Sequence, residues 1–232
     1  MRPCAGALIA LSFALTIPGP STAAHAERTI APQAPGTAVS KGPMRVALLV
    51  DTSDGVGTAI TQIRAAVLAF ADALPPEPEL MLVTTGRRTQ VRVPPTTDRK
   101  KVKDSASGIT SDHGATPLMD ALVEVDERFM RKAPDRWAAF VVITGDGSES
   151  STSTDDRGFN KWLAALTTRQ VSVDAIVLKF KGNGLPEAIA TAAVRATNGR
   201  LDATTAVLSL PDKLKAIAER LAHDHAQSPD QP

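Results

Sequence analysis

Apolar positions along the chain fall into short continuous runs separated by stretches of helical spacing. Residues 46–50, Val-Ala-Leu-Leu-Val, have no polar interruption, as expected of a strand covered on both faces. Ile60, Ile63, Val67, Phe70 and Leu74 then recur at helical intervals, and Pro75-Pro76 ends the predicted helix. Residues 80–84 read as a second strand and 89–93 as a third, joined by a turn at Gly86-Arg87-Arg88. Leu118, Leu122, Val125 and Phe129 define another helix, with Thr116 as the expected N-cap and Pro117 as its first residue. The run 138–144 is rich in β-branched residues and predicts a strand. A helix over about 159–168 follows, then a strand over 171–178. Another helix spans about 186–197 and closes at Asn198-Gly199. A weak strand near 206–208 precedes a last helix, which opens at Ser209-Leu-Pro-Asp212 and lines up Leu210, Leu214, Ile217 and Leu221.

This alternation predicts an α/β fold: a doubly wound, mainly parallel central sheet flanked by helices, as one domain over residues 44–225. The first 26 residues have the layout of an export signal, with Arg2 before an apolar core over 5–17 and a small-residue region ending Ala24-His25-Ala26. The apolar core is too short to span a bilayer, and no later segment approaches the necessary length. Residues 27–43, broken by Pro32, Pro35, Gly36, Gly42 and Pro43, read as a linker, and 226–232 as a disordered tail. The expectation is a protein secreted or released into the periplasm. Its only cysteine, Cys4, would leave with the signal, so the core and not a disulfide must hold the fold.

A net charge of +1 gives no overall field toward nucleic acid or an anionic membrane. The absence of Tyr and the presence of only two Trp weaken any reading based on base stacking. No nucleic-acid partner and no membrane span are expected.

Ligands of doubly wound sheets bind outside the carboxyl ends of the strands, where the strand order reverses. Asp51 and Ser53 follow the first predicted strand in "DTSDG", Thr116 opens a helix in "GATPL", and Asp146 follows the strand in "VVITGDG". Each has a plain structural role available: a turn cap at Asp51, an N-cap at Thr116, a common Asp-Gly turn at Asp146. Together they are two carboxylates and two hydroxyls, hard oxygen donors that suit Mg²⁺, Mn²⁺ or Ca²⁺ and not zinc. Asp54, His113 and Ser148 stand near enough in sequence to form a rim.

The three segments, in this order and context, resemble the metal-ion-dependent adhesion site of a von Willebrand factor A domain. Its pattern is Asp-x-Ser-x-Ser after the first strand, Thr in a Gly-x-Thr-Pro loop, and Asp after the fourth strand. Asp51, Ser53, Thr116 and Asp146 match it. The resemblance implies a protein-binding module and not an enzyme, with another protein as the partner. The implied mechanism is a divalent ion, Mg²⁺ or else Mn²⁺ or Ca²⁺, with one position open for a partner's carboxylate. Gly55 stands where the pattern has its second Ser, so a side-chain ligand is missing and water would have to replace it. Gly145 also intervenes before Asp146, where the simpler form has Thr-Asp-Gly.

Two further readings compete. Arg87, Arg88, Arg92, Arg99, Lys100, Lys101 and Lys103 make a basic segment, a solvated face or else a metal-independent contact for an acidic partner. Gly55-Val-Gly57 begins a dinucleotide-like fingerprint that would imply a nucleotide-using enzyme, but Ile60 occupies its third position and Asp51 and Asp54 would oppose a pyrophosphate. Nor is a G-x-S-x-G nucleophile motif present, and His223-x-His225 has the wrong spacing to place two metal ligands on one helix face.

Overall fold

The five strands expected between residues 46 and 178 all form and lie in a single sheet. Its strands are β1 (Met44–Val50), β2 (Glu79–Thr85), β3 (Thr89–Thr96), β4 (Trp137–Gly145), β5 (Ser172–Leu178) and β6 (Leu201–Thr204). Their order is β3-β2-β1-β4-β5-β6, with only the edge strand β3 antiparallel. The computed structural model describes residues 42–180, 184–197 and 199–227. The predicted signal, residues 27–41 of the predicted linker, Asn198 and residues 228–232 lie outside the described residues.

Six helices cover the two faces: α1 (Ile60–Ala73), α2 (Arg99–Ser107), α3 (Leu118–Val125), α4 (Asp156–Thr168), α5 (Leu185–Thr197) and α6 (Leu210–Ala226). The period of two along the strands splits the core. Leu48, Val50, Val141 and Ile143 face α1, α2 and α6, whereas Ala47, Leu49, Phe140 and Val142 face α3, α4 and α5. All nine residues of β4 are buried, which explains its apolar run. Each fully buried Val, Leu or Ile contributes about 1.5–3 kcal/mol, so the central strands anchor the sheet without a disulfide. Among the described residues, no helix is long and apolar enough to cross a membrane.

Three elements differ from the expectation. Helix α2 gives almost no apolar signal, because only Val102 and Ala106 are buried in it. It is instead built by Asp98, whose carboxylate caps the amides of Lys100 and Lys101, and by the Lys100–Asp104 pair one turn apart. The sixth strand is 201–204 and not 206–208, since Leu201–Thr204 pairs in register with Ala175–Leu178 while Val207–Ser209 forms a 3-10 turn leading into α6. The predicted helix through Phe129 is α3 followed by a π turn, Asp126–Met130.

That π turn buries a carboxylate. Asp126 is fully buried, and its Oδ2 accepts from Arg169 Nη2 at 2.7 Å, Arg131 Nε at 2.8 Å and Trp162 Nε1 at 3.0 Å. Trp162 also stacks on Phe159, so the network ties α3 to α4. Removing one partner of a buried ionic cluster leaves the others unpaired. Asp126→Ala is expected to lower the unfolding free energy by roughly 3 kcal/mol. Chemical denaturation checks this, and a loss under about 0.5 kcal/mol would show the cluster to be idle.

Candidate functional site at the carboxyl edge of the sheet

From β1 the chain passes to β2 on one side and later returns to β4 on the other. The order therefore reverses between β1 and β4, and their carboxyl ends frame a crevice. Asp51 is the first residue beyond β1 and Asp146 the first beyond β4. Both stand at the strand ends expected from the sequence.

The Asp51 side chain is 1% exposed. Its Oδ1 accepts from Ser53 N at 2.7 Å, and its Oδ2 from Thr144 Oγ1 at 3.1 Å and Gly145 N at 3.2 Å. Burial pushes its carboxyl above the ordinary aspartate range, against the pull of the Ser53, Gly145 and Thr144 donors. Ser53, equally buried, accepts from Gly55 N at 3.2 Å through its Oγ. Asp146 is 5% exposed and accepts from Phe180 N at 2.9 Å, beyond the end of β5.

Thr116 is not the N-cap of α3. Its hydroxyl donates to Thr85 O at 2.6 Å, at the end of β2, and lies 3.1 Å from Thr85 Oγ1. Pro117 correspondingly precedes the helix and is not its first residue. The free amides of α3 are satisfied from the β4–α4 loop, Leu118 N by Glu149 Oε2 at 3.1 Å and Asp120 N by Ser151 Oγ at 2.9 Å. Thr116 joins the same loop through its backbone, since its N–H bonds Ser148 O at 3.0 Å and its C=O accepts from Ser150 N at 2.9 Å. The stretch 147–156 looks like an exposed loop from its Ser, Thr and Asp content, yet much of it is pinned.

Of the three residues suggested as a rim, Asp54 and Ser148 line a hollow at this edge, and His113 stands beside Asp54. Asp54 Oδ2 accepts from Gly114 N at 2.8 Å, and His113 Nδ1 lies 2.9 Å from Asp54 Oδ1. This pair holds His113 in the left-handed region at φ 56°, next to Gly114 at φ 91°. A hollow of about 600 Å³ opens here. Asp54, Gly55, Gly114, Ala115, Asp146, Gly147, Ser148 and Gly184 line it. Of the four expected ligands, only Asp146 is on that wall; Asp51, Ser53 and Thr116 lie behind it.

Residues 46–149 match the profile of the von Willebrand factor type A domain. The fold is that of von Willebrand factor A domains. Among solved structures, a von Willebrand factor type A protein from Catenulispora acidiphila superposes with a TM-score of 0.65 at 12% identity, covering 78% of this chain and 43% of that one. BatB, a conserved hypothetical protein of Bacteroides thetaiotaomicron, gives 0.60 at 15% identity over 80% of this chain and 100% of its own. Proximal thread matrix protein 1 of the mussel byssus, in a structure whose MIDAS motif is occupied by zinc, gives 0.59 at 13% identity over 77% and 46%. The chain thus spans less than half the length of the Catenulispora and mussel proteins. At these identities the likeness is one of fold. No curated protein sequence matches the chain.

The von Willebrand factor A fold implies a divalent ion, and the residues here do not fit one as they stand. Gly55 supplies no oxygen, and a Cβ added to it would stand 3.1 Å from Gly147 Cα, so backbone occupies the direction in which a serine would project. The Asp51 oxygens hold two backbone N–H groups and a hydroxyl, Ser53 Oγ holds an amide, and the Thr116 hydroxyl is given to a carbonyl. Among the described residues, no group of three or more His, Cys, Asp or Glu side chains is arranged to hold a metal ion, here or elsewhere. Gly147 lies against Gly55 in the same way that denies a pyrophosphate the approach a dinucleotide fold provides.

The basic segment is largely matched internally. Lys100 pairs with Asp104, Lys101 with Asp98 and Lys103 with Asp72, while Arg99 clamps the Pro75 and Pro78 carbonyls and Arg92 that of Gly108. That accords with a solvated face.

Sequence reasoning missed Asp120, whose carboxylate accepts from the amides of Thr152 (2.8 Å), Ser153 (3.1 Å) and Thr154 (2.7 Å). Partial burial raises its carboxyl, but the N–H donors together outweigh this and hold it below the ordinary aspartate range. A lowered folded-state value means that the pinning is fully present above the ordinary range and is lost as pH falls through the lowered value. Protection of the 152–154 amides, relative to intrinsic exchange at each pH, is therefore expected to fall on acidification below that range, and to fall at neutral pH in Asp120→Ala. Protection that is unchanged in Asp120→Ala would exclude the pin.

Proposed function

We propose that the chain is an exported protein-binding module that engages its partner at the carboxyl-terminal rim of its sheet, without enzymatic turnover. Domains of the von Willebrand factor A type are in general interaction modules. The observation that carries the reading is the hollow at the β1/β4 reversal together with its apolar border. Phe180 is 42% exposed and Leu185 57%, two of the four large exposed hydrophobic residues among those described. Both adjoin the hollow: Phe180 N bonds Asp146, and Gly184, which precedes Leu185, lines the wall. An apolar border around a polar, glycine-walled hollow is the makeup of a protein contact. It gives a small-molecule reaction no poised nucleophile and base, since His113 faces Asp54 and no hydroxyl nucleophile.

Two measurements test this. A photo-crosslinking residue at Ala115 or Leu185, in the cell of origin, is expected to give discrete protein adducts. The same residue at Lys132, in the turn before β4 at the opposite end of the sheet, is expected to give none. Adducts at all three positions, or at none, would remove the rim as the binding face. For export, mass spectrometry of the mature protein is expected to find Glu27 at its N-terminus, and intact Met1 on cytosolic protein would end that part of the reading.

A further inference from the structure

We infer that the residues standing at the ion-ligand positions form a metal-free clasp, which closes the top of the domain by hydrogen bonds and by one glycine–glycine contact. The inference does not depend on which partner the rim binds.

Three of the four side chains link their own loop to another segment, and the fourth, Ser53, closes its own turn. Asp51, beyond β1, holds Thr144 and Gly145 at the end of β4. Ser53 folds the 51–55 turn back on itself through Gly55 N. Thr116 ties the α2–α3 connection to the end of β2 through Thr85 O. Asp146 ties the end of β4 to the start of the β5–α5 connection through Phe180 N. Side chains that would otherwise share an ion are here distributed among four connections.

The glycines allow this closure. A Cβ on Gly147 would stand 2.9 Å from Gly55 Cα, one on Gly55 3.1 Å from Gly147 Cα, and one on Gly145 2.7 Å from Gly55 O. A Cβ at Gly145 or Gly147 would require the two backbones to shift apart, and one at Gly55 would make a contact tighter than side chains ordinarily make. Nothing in the backbone dihedrals demands this, since Gly114 alone among the described glycines has positive φ. The requirement is one of space. The Ser-to-Gly departure at position 55 is thus the change that lets the clasp shut as well as the loss of a ligand.

The test is thermal unfolding of the full mature chain with and without MgCl₂, MnCl₂, CaCl₂ or ZnCl₂ at about 10 mM, in the wild type and in Gly55→Ser. An ion site with a Kd near 1 mM would raise Tm by about 3–6 °C at that concentration. The clasp predicts a shift under about 1 °C in the wild type. It also predicts a lower Tm in Gly55→Ser, with no ion response, because the new side chain forces the loops apart. An ion-dependent rise of 3 °C or more in either protein, abolished by Asp51→Ala, would overturn the inference. A second arm uses hydrogen exchange in the absence of added metal. Thr116→Val, which keeps the shape but loses the bond to Thr85 O, is expected to expose the amides of 148–150 at least several-fold faster, and Thr116→Ser to restore them. Equal exchange in wild type and Thr116→Val would also overturn it.

Discussion

The Asp51 carboxylate is held by its own turn at Ser53 and by the last residues of β4, Thr144 and Gly145. This binds the carboxyl ends of β1 and β4 across the place where strand order reverses. A charge 1% exposed would cost several kcal/mol if left without donors. Two N–H groups and a hydroxyl offset that cost only while the neighbouring strand stays in register. The continuous β1–β4 pairing, from Met44 with Trp137 to Val50 with Ile143, delivers Thr144 and Gly145 to the required height. The loops that meet above them, 51–56 from β1 and 145–155 from β4, inherit their positions from this one pairing.

The loop after β4 shows how much depends on that placement. It carries Ser148 and Ser150 to the Thr116 backbone, Glu149 and Ser151 to the open amides of α3, and its 152–154 amides to Asp120. A helix start normally finds its cap in the residue just before it. Here Pro117 occupies that position and has no side-chain donor or acceptor, so the cap is borrowed from a loop about 31 residues away. Thr116 is thereby released to bind the end of β2.

Much of the fold was legible in the chain, because buried parallel strands require unbroken apolar runs and amphipathic helices a regular spacing. What escaped notice was held by polar contacts. Helix α2 rests on the Asp98 cap and on charge pairs, and β6 is a four-residue edge strand with partly exposed side chains, so its apolar signal is weak. Asp98 ahead of Arg99-Lys-Lys-Val-Lys was the available clue to α2. For the site, the positions of Asp51, Ser53 and Asp146 could be read from strand ends, and that of Thr116 from the start of α3. Their roles could not, since the partners Thr85, Gly145 and Phe180 lie 31, 94 and 34 residues away from the groups they bond.

An ion shell and a hydrogen-bonded clasp call for the same residue types at the same strand ends, because both need oxygen atoms where loops converge. Asp-x-Ser and Thr-Pro therefore cannot distinguish the two. The distinguishing positions are those where one device requires a side chain and the other forbids it. Position 55 needs an oxygen in the first case and, with Gly145 and Gly147 pressed against it, no Cβ in the second. Three glycines that fit each other's backbones are a more particular arrangement than one missing ligand, since loss of a ligand alone would place no demand on 145 or 147. The physical sense of "DTSDG" beside "TGDG" is thus found in the glycines, which let two loops touch, while the carboxylates hold what the glycines have brought together.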